Sequence, residues 1–247
     1  MPDYDIVLLD VEGTTTPISF VHEVLFPYIL DNVDRFLEAQ WQDPTVQEHV
    51  RAIADQANKD AQAGIVHAIP IDLDTDTPEE IRQKVAVNVR WQMKIDRKIA
   101  ALKGLQGYMW RFGYTGGQLQ GVMFDDAVQA IKKWSADCKV YIYSSGSVEA
   151  QKLIFGFSDH GDLLPCISGH YDTNIGLKQE SQSYTRIAED IGIPPSRIMF
   201  ISDNENEIRA ADQAGFQTVV SVRPGNLTLT ESAKKNYRLT SDFTELI

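Results

Sequence analysis

Residues 4–14 read Tyr-Asp-Ile-Val-Leu-Leu-Asp-Val-Glu-Gly-Thr, and the apolar run Ile6–Leu9 stops abruptly at two carboxylates. The run is short, contains β-branched residues and is uninterrupted, which favours a strand buried on both faces of a parallel sheet over an amphipathic helix. In open α/β sheets, ligands collect at the carboxyl ends of the strands. We therefore expect Asp10 and Glu12, which alternate onto one side of an extended chain, to lie at a functional position.

Two acids at this spacing suit a division of labour in which one carboxylate attacks as a nucleophile and its neighbour transfers the proton. A divalent metal would relieve their mutual repulsion. Gly13 lets the backbone turn close to a ligand, and Thr14 offers a hydroxyl. The same Asp-x-Glu pattern also occurs where a strand simply ends in a polar turn, so by itself it leaves both interpretations open.

Composition limits the partners of the chain. Among 247 residues, 43% are hydrophobic and 23% are charged, which is typical of a folded globular protein. The formal charge of -12 argues against nucleic acid and anionic membranes as partners, so an anionic substrate needs locally placed cations. Because the chain shows no signal-like N-terminus and no membrane-spanning apolar run, we expect a cytoplasmic protein that at this size can also enter the nucleus. Nothing in the sequence suggests an obligate assembly, and we expect a monomer.

The two cysteines, Cys138 and Cys166, form no metal-binding or redox spacing. Their neighbours are mostly apolar, so we predict reduced thiols in the core.

Helical patterns occupy the region after Pro17. Asp43-Pro44 and Thr77-Pro78-Glu79-Glu80 have the features of helix starts, namely a capping side chain, a proline in the first turn and, at the second, acidic residues. The aromatic stretch 105–117 is expected to pack in a core or between domains rather than to line a ligand site, and its glycines favour a connection between an insertion and the main domain.

From Asp125 onward, predicted strands at 140–143, 198–201 and 218–222 alternate with helices, which indicates βαβ units and a parallel sheet. We therefore predict an α/β fold with a Rossmann-like parallel sheet as its core and an inserted, mainly helical domain. The core is expected to comprise residues 1–16 and 122–247, and the insertion residues 17–121. The polar segment after Asn226 carries few distinctive signals.

Polar groups also follow the later strands. Ser144-Ser145-Gly146-Ser147 comes after a strand and before a helix, a favourable geometry for anions, although Ser147 could simply cap that helix. Lys178 stands in a loop just before a helix, where its ammonium could reach a phosphate or remain a solvated charge. Asp203 ends another strand, and Glu207 follows one helical turn later on the same face.

Carboxylates, waters and substrate phosphate are the ligands that Mg2+ takes, whereas the five histidines show no spacing that would suit zinc. The order Asp10 with Glu12, Ser144, Lys178 and Asp203 resembles the four motifs of the haloacid dehalogenase superfamily, with residues 17–121 in the place of its helical cap. The resemblance covers residues 4–16 and 123–222.

A narrower resemblance extends over essentially the whole chain. It is carried by five segments: residues 10–15 (DVEGTT), 105–110 (LQGYMW), 143–152 (YSSGSVEAQK), 176–181 (GLKQES) and 222–226 (VRPGN). Together these segments resemble the enolase-phosphatase family of methionine salvage, the acireductone synthases. Glu12 is informative here, because most phosphatases of the superfamily have Asp at that position.

The resemblance implies a two-step reaction on a small phosphorylated diketone, in which enolisation precedes dephosphorylation to an acireductone. It implies Asp10 as nucleophile and Glu12 as acid and base. Mg2+ would be held by Asp10, Asp203 and the Glu12 backbone carbonyl, with Glu207 in support. Ser144, Ser145 and Lys178 would bind the phosphate.

Two alternatives and one assignment remain open from the sequence. Another cap-bearing phosphatase that forms an aspartyl phosphate on a different small metabolite would share the same residues. A non-catalytic binding protein of this fold need not retain all four groups. The base that enolises the substrate is also undecided between Glu12 and carboxylates of the insertion.

Overall fold

The computed structural model describes residues 3–247, and the chain divides into two compact units. The first takes the chain up to His22 and again Gln120–Ile247, and the second is Glu23–Leu119. The boundaries at residues 16 and 121, and the role of the helical unit as a cap, remain predictions.

The described strands are β1 Ile6–Leu9, β2 Lys139–Tyr143, β3 Gly169–Tyr171, β4 Ile198–Ser202, β5 Gln217–Ser221 and β6 Arg238–Thr240. They form one parallel sheet in the order β3-β2-β1-β4-β5-β6. This confirms the predicted α/β fold with a Rossmann-like sheet. The strand order reverses between β1 and β4, and such a reversal opens a crevice at the carboxyl ends of the strands, where ligands bind.

The helices are α1 Ile18–Phe20, α2 Phe26–Ala39, α3 Pro44–Gln62, α4 Pro78–Lys94, α5 Ala100–Thr115, α6 Asp125–Asp137, α7 Val148–Gly156, α8 Ser181–Ile191, α9 Glu205–Gln213 and α10 Glu231–Asn236. A π-helical segment spans Val21–Leu25. Short 3-10 turns occupy Leu164–Cys166, Pro195–Arg197 and Phe243–Leu246. Among residues 3–247, no helix is long and apolar enough to cross a membrane.

The core of the first unit is centred on Tyr184 of α8. Its ring meets those of Tyr143, Phe200 and Phe216 edge-on at centroid distances of 5.5, 5.1 and 5.6 Å. Edge-to-face geometry of this kind is the favoured arrangement of aromatic pairs. These ring contacts hold α8, and the loop that precedes it, against strands β2 and β4 of the sheet.

Both predicted helix starts of the second unit are confirmed. The Asp43 carboxylate accepts the Thr45 N–H at 2.7 Å at the start of α3. Thr77 and Glu80 form a reciprocal capping box at the start of α4. These caps satisfy backbone donors that a helix leaves unpaired in its first turn.

The aromatic stretch 105–117 packs as predicted. It is mostly helical, since α5 continues to Thr115, and it leads to the boundary between the two units at Leu119 and Gln120. Trp110 stacks on Phe26 and donates its indole N–H to the Leu25 carbonyl at 2.9 Å. A side chain at Gly113 would meet Tyr28 and Leu119 at less than 3 Å. The glycine therefore permits close packing within the helix.

The cysteine prediction is partly wrong. Cys138 and Cys166 are both free thiols, as expected, but each is only half-buried and does not belong to the core.

Arg223 contacts three parts of the first unit: helix α6, the turn after β1 and the C-terminal segment. Its guanidinium lies 4.4 Å from the ring centres of both Phe124 and Phe243, and it donates two bonds to the Asp126 carboxylate at 2.7 and 3.0 Å. It also donates to the Ser241 carbonyl at 2.8 Å and to the Thr14 carbonyl at 3.4 Å. The C-terminal segment and the turn that follows β1 are therefore held by one buried cation.

We predict that Arg223→Leu lowers the free energy of unfolding by about 3 kcal/mol or more, because it leaves the Asp126 carboxylate without its cation and takes a donor from two carbonyls. The matched control is Arg197→Leu, which removes an equally bidentate but exposed pair with Asp5. Such pairs contribute little, and we expect almost no change. Urea denaturation of both variants measures the difference, and equal losses would contradict the account of Arg223.

Candidate active site

The Lys178 ammonium is the centre of a buried charge cluster at the carboxyl ends of β1 and β4. Its Nζ lies 2.5 Å from Asp10 Oδ1 and 2.6 Å from Glu207 Oε2. Asp10 and Lys178 are each 5% exposed, and Glu207 is 7% exposed. The loop lysine is therefore not a solvated charge, and the structure brings it together with the predicted nucleophile.

Burial and neighbouring charges both shift pKa values in this cluster. Burial alone would lower the pKa of Lys178, but the charges of Asp10 and Glu207 outweigh it and raise that pKa. Burial, reinforced by the charges of Asp10 and Glu207, raises the pKa of Asp203 to about 7. Burial likewise raises the pKa of Glu207, although Lys178 opposes this shift. The cluster thus carries more negative charge than one ammonium can balance.

Side-chain hydroxyls fix the backbone of the Lys178 loop. Three successive carbonyls each accept one such bond: Gly176 O from Tyr143 Oη at 2.9 Å, Leu177 O from Ser183 Oγ at 2.8 Å, and Lys178 O from Tyr184 Oη at 2.7 Å. Since Tyr143 and Tyr184 also belong to the aromatic core, the position of the ammonium is tied to the packing of the sheet.

The turn after β1 is rigid and carries Glu12. The Val11 carbonyl accepts N–H bonds from Thr14, Thr15 and Thr16 at 2.9 to 3.2 Å, and Gly13 N–H donates to the Thr16 carbonyl at 2.8 Å. Glu12 is half-buried in this turn. The turn therefore holds the predicted proton donor two residues beyond the predicted nucleophile.

Gly13 is required in this turn for two reasons. Its φ angle is +71°, a left-handed conformation that favours glycine, and a β-carbon there would lie 2.5 Å from Asp203 Oδ2. The glycine thus permits the Asp203 carboxylate to approach the backbone of the turn.

The Thr14 hydroxyl links the two strand ends. It donates to Asp10 Oδ2 at 3.2 Å and accepts the Asp203 N–H at 3.1 Å. The Ser202 hydroxyl lies 2.8 Å from Glu207 Oε2 and 3.5 Å from Asp10 Oδ2. These contacts restrict rotation of the Asp10 carboxylate.

Ser144 reaches the same edge of the sheet because β2 pairs beside β1, with Ile142 opposite Leu9. Its Oγ accepts the Gly146 N–H at 3.1 Å, which leaves the hydroxyl hydrogen to donate to another acceptor. Ser145 is exposed in the loop, and Ser147 caps α7 by accepting the Ala150 N–H at 3.2 Å. The cap interpretation of Ser147 is confirmed, while the other two serines stay candidates for phosphate binding.

Gln151 supports this serine loop from α7. Its amide group donates to the Gly146 and Tyr171 carbonyls, both at 2.9 Å, and its oxygen lies 3.1 Å from His170 Nδ1. Burial lowers the pKa of His170 to about 4, so the ring is neutral at physiological pH.

The donor set suits a hard divalent cation. Asp10, which is buried, and Asp203, which is half-buried, present carboxylate oxygens at adjacent strand ends, and a dication would offset the excess negative charge. Across residues 3–247, no group of three or more His, Cys, Asp or Glu side chains is arranged to hold a metal. The predicted set contains only two such side chains, Asp10 and Asp203, because its third protein ligand is the Glu12 backbone carbonyl. It therefore falls below that number. That set remains a prediction.

Several supporting contacts are not evident from the sequence. Glu207, expected in support of the metal ligands, bonds Lys178 and Ser202, and its place relative to a metal stays a prediction. Ser202 was missed, although its place directly before Asp203 at the end of a buried strand was a usable signal. The hydroxyls that hold the Lys178 loop come from distant elements, and no local pattern marks them.

Comparisons with known proteins identify several relatives of the chain. The family model of haloacid dehalogenase-like hydrolases matches residues 4–215. Enolase-phosphatase E1 of Xenopus tropicalis is 49% identical over 95% of this chain and 91% of its own length. A probable bifunctional methylthioribulose-1-phosphate dehydratase/enolase-phosphatase E1 of Vitis vinifera is 45% identical over 91% of this chain and 44% of its own length.

Among solved structures, the UTR4 protein of Saccharomyces cerevisiae matches with a TM-score of 0.76 and 34% identity, over 98% of this chain and 99% of that one. Family model and relatives both extend over most of the chain. The chain belongs to the haloacid dehalogenase-like hydrolases and, within them, to the enolase-phosphatase E1 family.

Proposed function

We propose that this protein is a Mg2+-dependent acireductone synthase. It would convert 2,3-diketo-5-methylthiopentyl 1-phosphate, through an enol phosphate, to 1,2-dihydroxy-3-keto-5-methylthiopentene and phosphate. The observation that carries the proposal is the buried Asp10–Lys178–Glu207 cluster beside Asp203, in a chain of the enolase-phosphatase E1 family. The helical unit Glu23–Leu119 is proposed as the family's cap domain.

Phosphate binding requires cations, because the protein carries a formal charge of -12. The Lys178 ammonium supplies one of them at the nucleophile. The Ser144 hydroxyl has a hydrogen to donate, and Ser145 lies next to it before the N-terminus of α7, where the helix dipole favours anions. Bound at Asp10, Asp203 and the Glu12 carbonyl, Mg2+ would supply charge stabilisation for the transferring phosphoryl group.

Phosphoryl transfer follows from the placement of two acids. A carboxylate oxygen of Asp10 attacks phosphorus, the bond from phosphorus to the substrate oxygen breaks, and Glu12 gives its proton to the departing oxygen. Glu12, now ionised, takes a proton from water, which attacks the aspartyl phosphate. Phosphate leaves and both acids return to their starting forms.

Enolisation must remove a proton from the carbon next to a carbonyl before phosphate leaves. Glu12 is the candidate base in the first unit, since the hydrogen-bonded turn after β1 places it two residues beyond Asp10. Carboxylates of the helical unit are the alternative.

We predict that Asp10→Asn lowers the rate of phosphate release by at least about 10³-fold, because the amide cannot act as the nucleophile. The matched control is Asp5→Asn, at the other end of β1, which should keep full activity. Phosphate release is measured under saturating substrate, and near-normal release by Asp10→Asn would show that another group attacks phosphorus.

We predict that Glu12→Gln slows phosphate release by about 10²- to 10⁴-fold, since it removes the proton donor and base. It should also accumulate phosphate on Asp10, detectable as a mass adduct in a quenched reaction. Glu12→Asp keeps the acid but shortens its reach, and we expect it to slow both half-reactions. If Glu12→Asp kept both rates, reach would not be the reason for a glutamate here.

A further inference from the structure

Residues 222–226, Val-Arg-Pro-Gly-Asn, follow β5 and contain a side chain to which the mechanism above gives no role. Asn226 Nδ2 donates to the Gly13 carbonyl at 2.9 Å and to the Ser221 carbonyl at 3.3 Å. The Gly13 carbonyl belongs to the turn that carries Glu12. Asn226 therefore bonds directly to the backbone of the candidate site from a separate strand end.

The other end of the Asn226 amide is unusual. Its Oδ1 is fully buried and accepts no hydrogen bond from any residue between 3 and 247. Buried acceptors normally have a partner, because leaving one unpaired costs free energy. An orphaned acceptor inside a candidate site points to a positive charge that the protein chain does not itself supply.

The position of Asn226 Oδ1 indicates which group of the candidate site it can assist. A β-carbon built on Gly13 would lie 2.7 Å from Asn226 Oδ1 and 2.5 Å from Asp203 Oδ2. Both oxygens thus lie against the same face of Gly13. The predicted cation ligand and the unpaired acceptor are neighbours.

We propose that Asn226 is a positioning residue of the cation site. Its Nδ2 fixes the Gly13 carbonyl, and its Oδ1 holds an uncompensated partial negative charge beside Asp203, where it would favour a cation bound through that carboxylate. Groups that surround the ligands of a metal tune its affinity. This inference rests on the proposed Mg2+-dependent function and adds to it a determinant of cation affinity.

The chain offers a control that separates the two ends of the amide. Ser221 Oγ also donates to the Gly13 carbonyl, at 3.3 Å, and is buried, but the structure assigns it no contact with Asp203. Ser221→Ala therefore weakens the anchoring of Gly13 and leaves Asn226 Oδ1 in place. Asn226→Asp keeps an acceptor at this position and removes the donor.

The test is titration of the full-length protein with MgCl2, without substrate, by calorimetry and by the Mg2+-induced rise in melting temperature. We expect Asn226→Ala to bind Mg2+ about tenfold more weakly than the wild type. Ser221→Ala should keep wild-type affinity. Asn226→Asp should bind Mg2+ at least as tightly as the wild type, while its melting temperature without Mg2+ falls.

Three results would count against the inference. Equal Mg2+ affinity of Asn226→Ala and the wild type would mean that Oδ1 does not serve the cation. An equal loss in Ser221→Ala, or a loss in Asn226→Asp as large as in Asn226→Ala, would mean that anchoring of Gly13 alone sets the affinity. The absence of Mg2+ binding by the wild type would instead contradict the proposed function itself.

Discussion

The buried ammonium of Lys178, placed between Asp10 and Glu207, is the interaction on which the rest of the site depends. Burying a charge is costly unless it is paired, and removal of one partner leaves the others uncompensated. The loop that carries Lys178 is accordingly held by three hydroxyls, two of them from tyrosines of the aromatic core. The packing of the aromatic core therefore also positions the Lys178 ammonium.

The site draws its parts from four strand ends of one parallel sheet. β1 supplies Asp10 and the turn with Glu12, β2 leads to Ser144, β4 leads to Asp203, and β5 leads to the segment that ends in Asn226. The reversal of strand order between β1 and β4 explains why the acids meet there. The Lys178 ammonium is paired with two carboxylates at this point, so the proposed binding of a phosphate there would also depend on the proposed dication.

Much of this was predictable from local patterns. The run Ile6–Leu9 and its acids, the helix starts at Asp43 and Thr77, and the resemblance to the enolase-phosphatases are confirmed. Strands β3 and β6 escaped prediction because each has three residues, too few for a periodic pattern. The glycines of α5 look like helix breakers in the sequence, whereas tertiary packing at Gly113 requires a glycine. The ion pair of Glu207 with Lys178 was not predictable, because the two residues are distant in sequence.

The central claim is that one site enolises and then dephosphorylates the diketone phosphate. The most direct test is to incubate the wild-type protein with 2,3-diketo-5-methylthiopentyl 1-phosphate and Mg2+ and to follow enol absorbance and phosphate together. We expect the enol absorbance to rise before phosphate is released, and neither signal to appear after chelation of Mg2+. Phosphate release without a preceding enol would contradict the enolase half and indicate a phosphatase of the same fold with a different substrate.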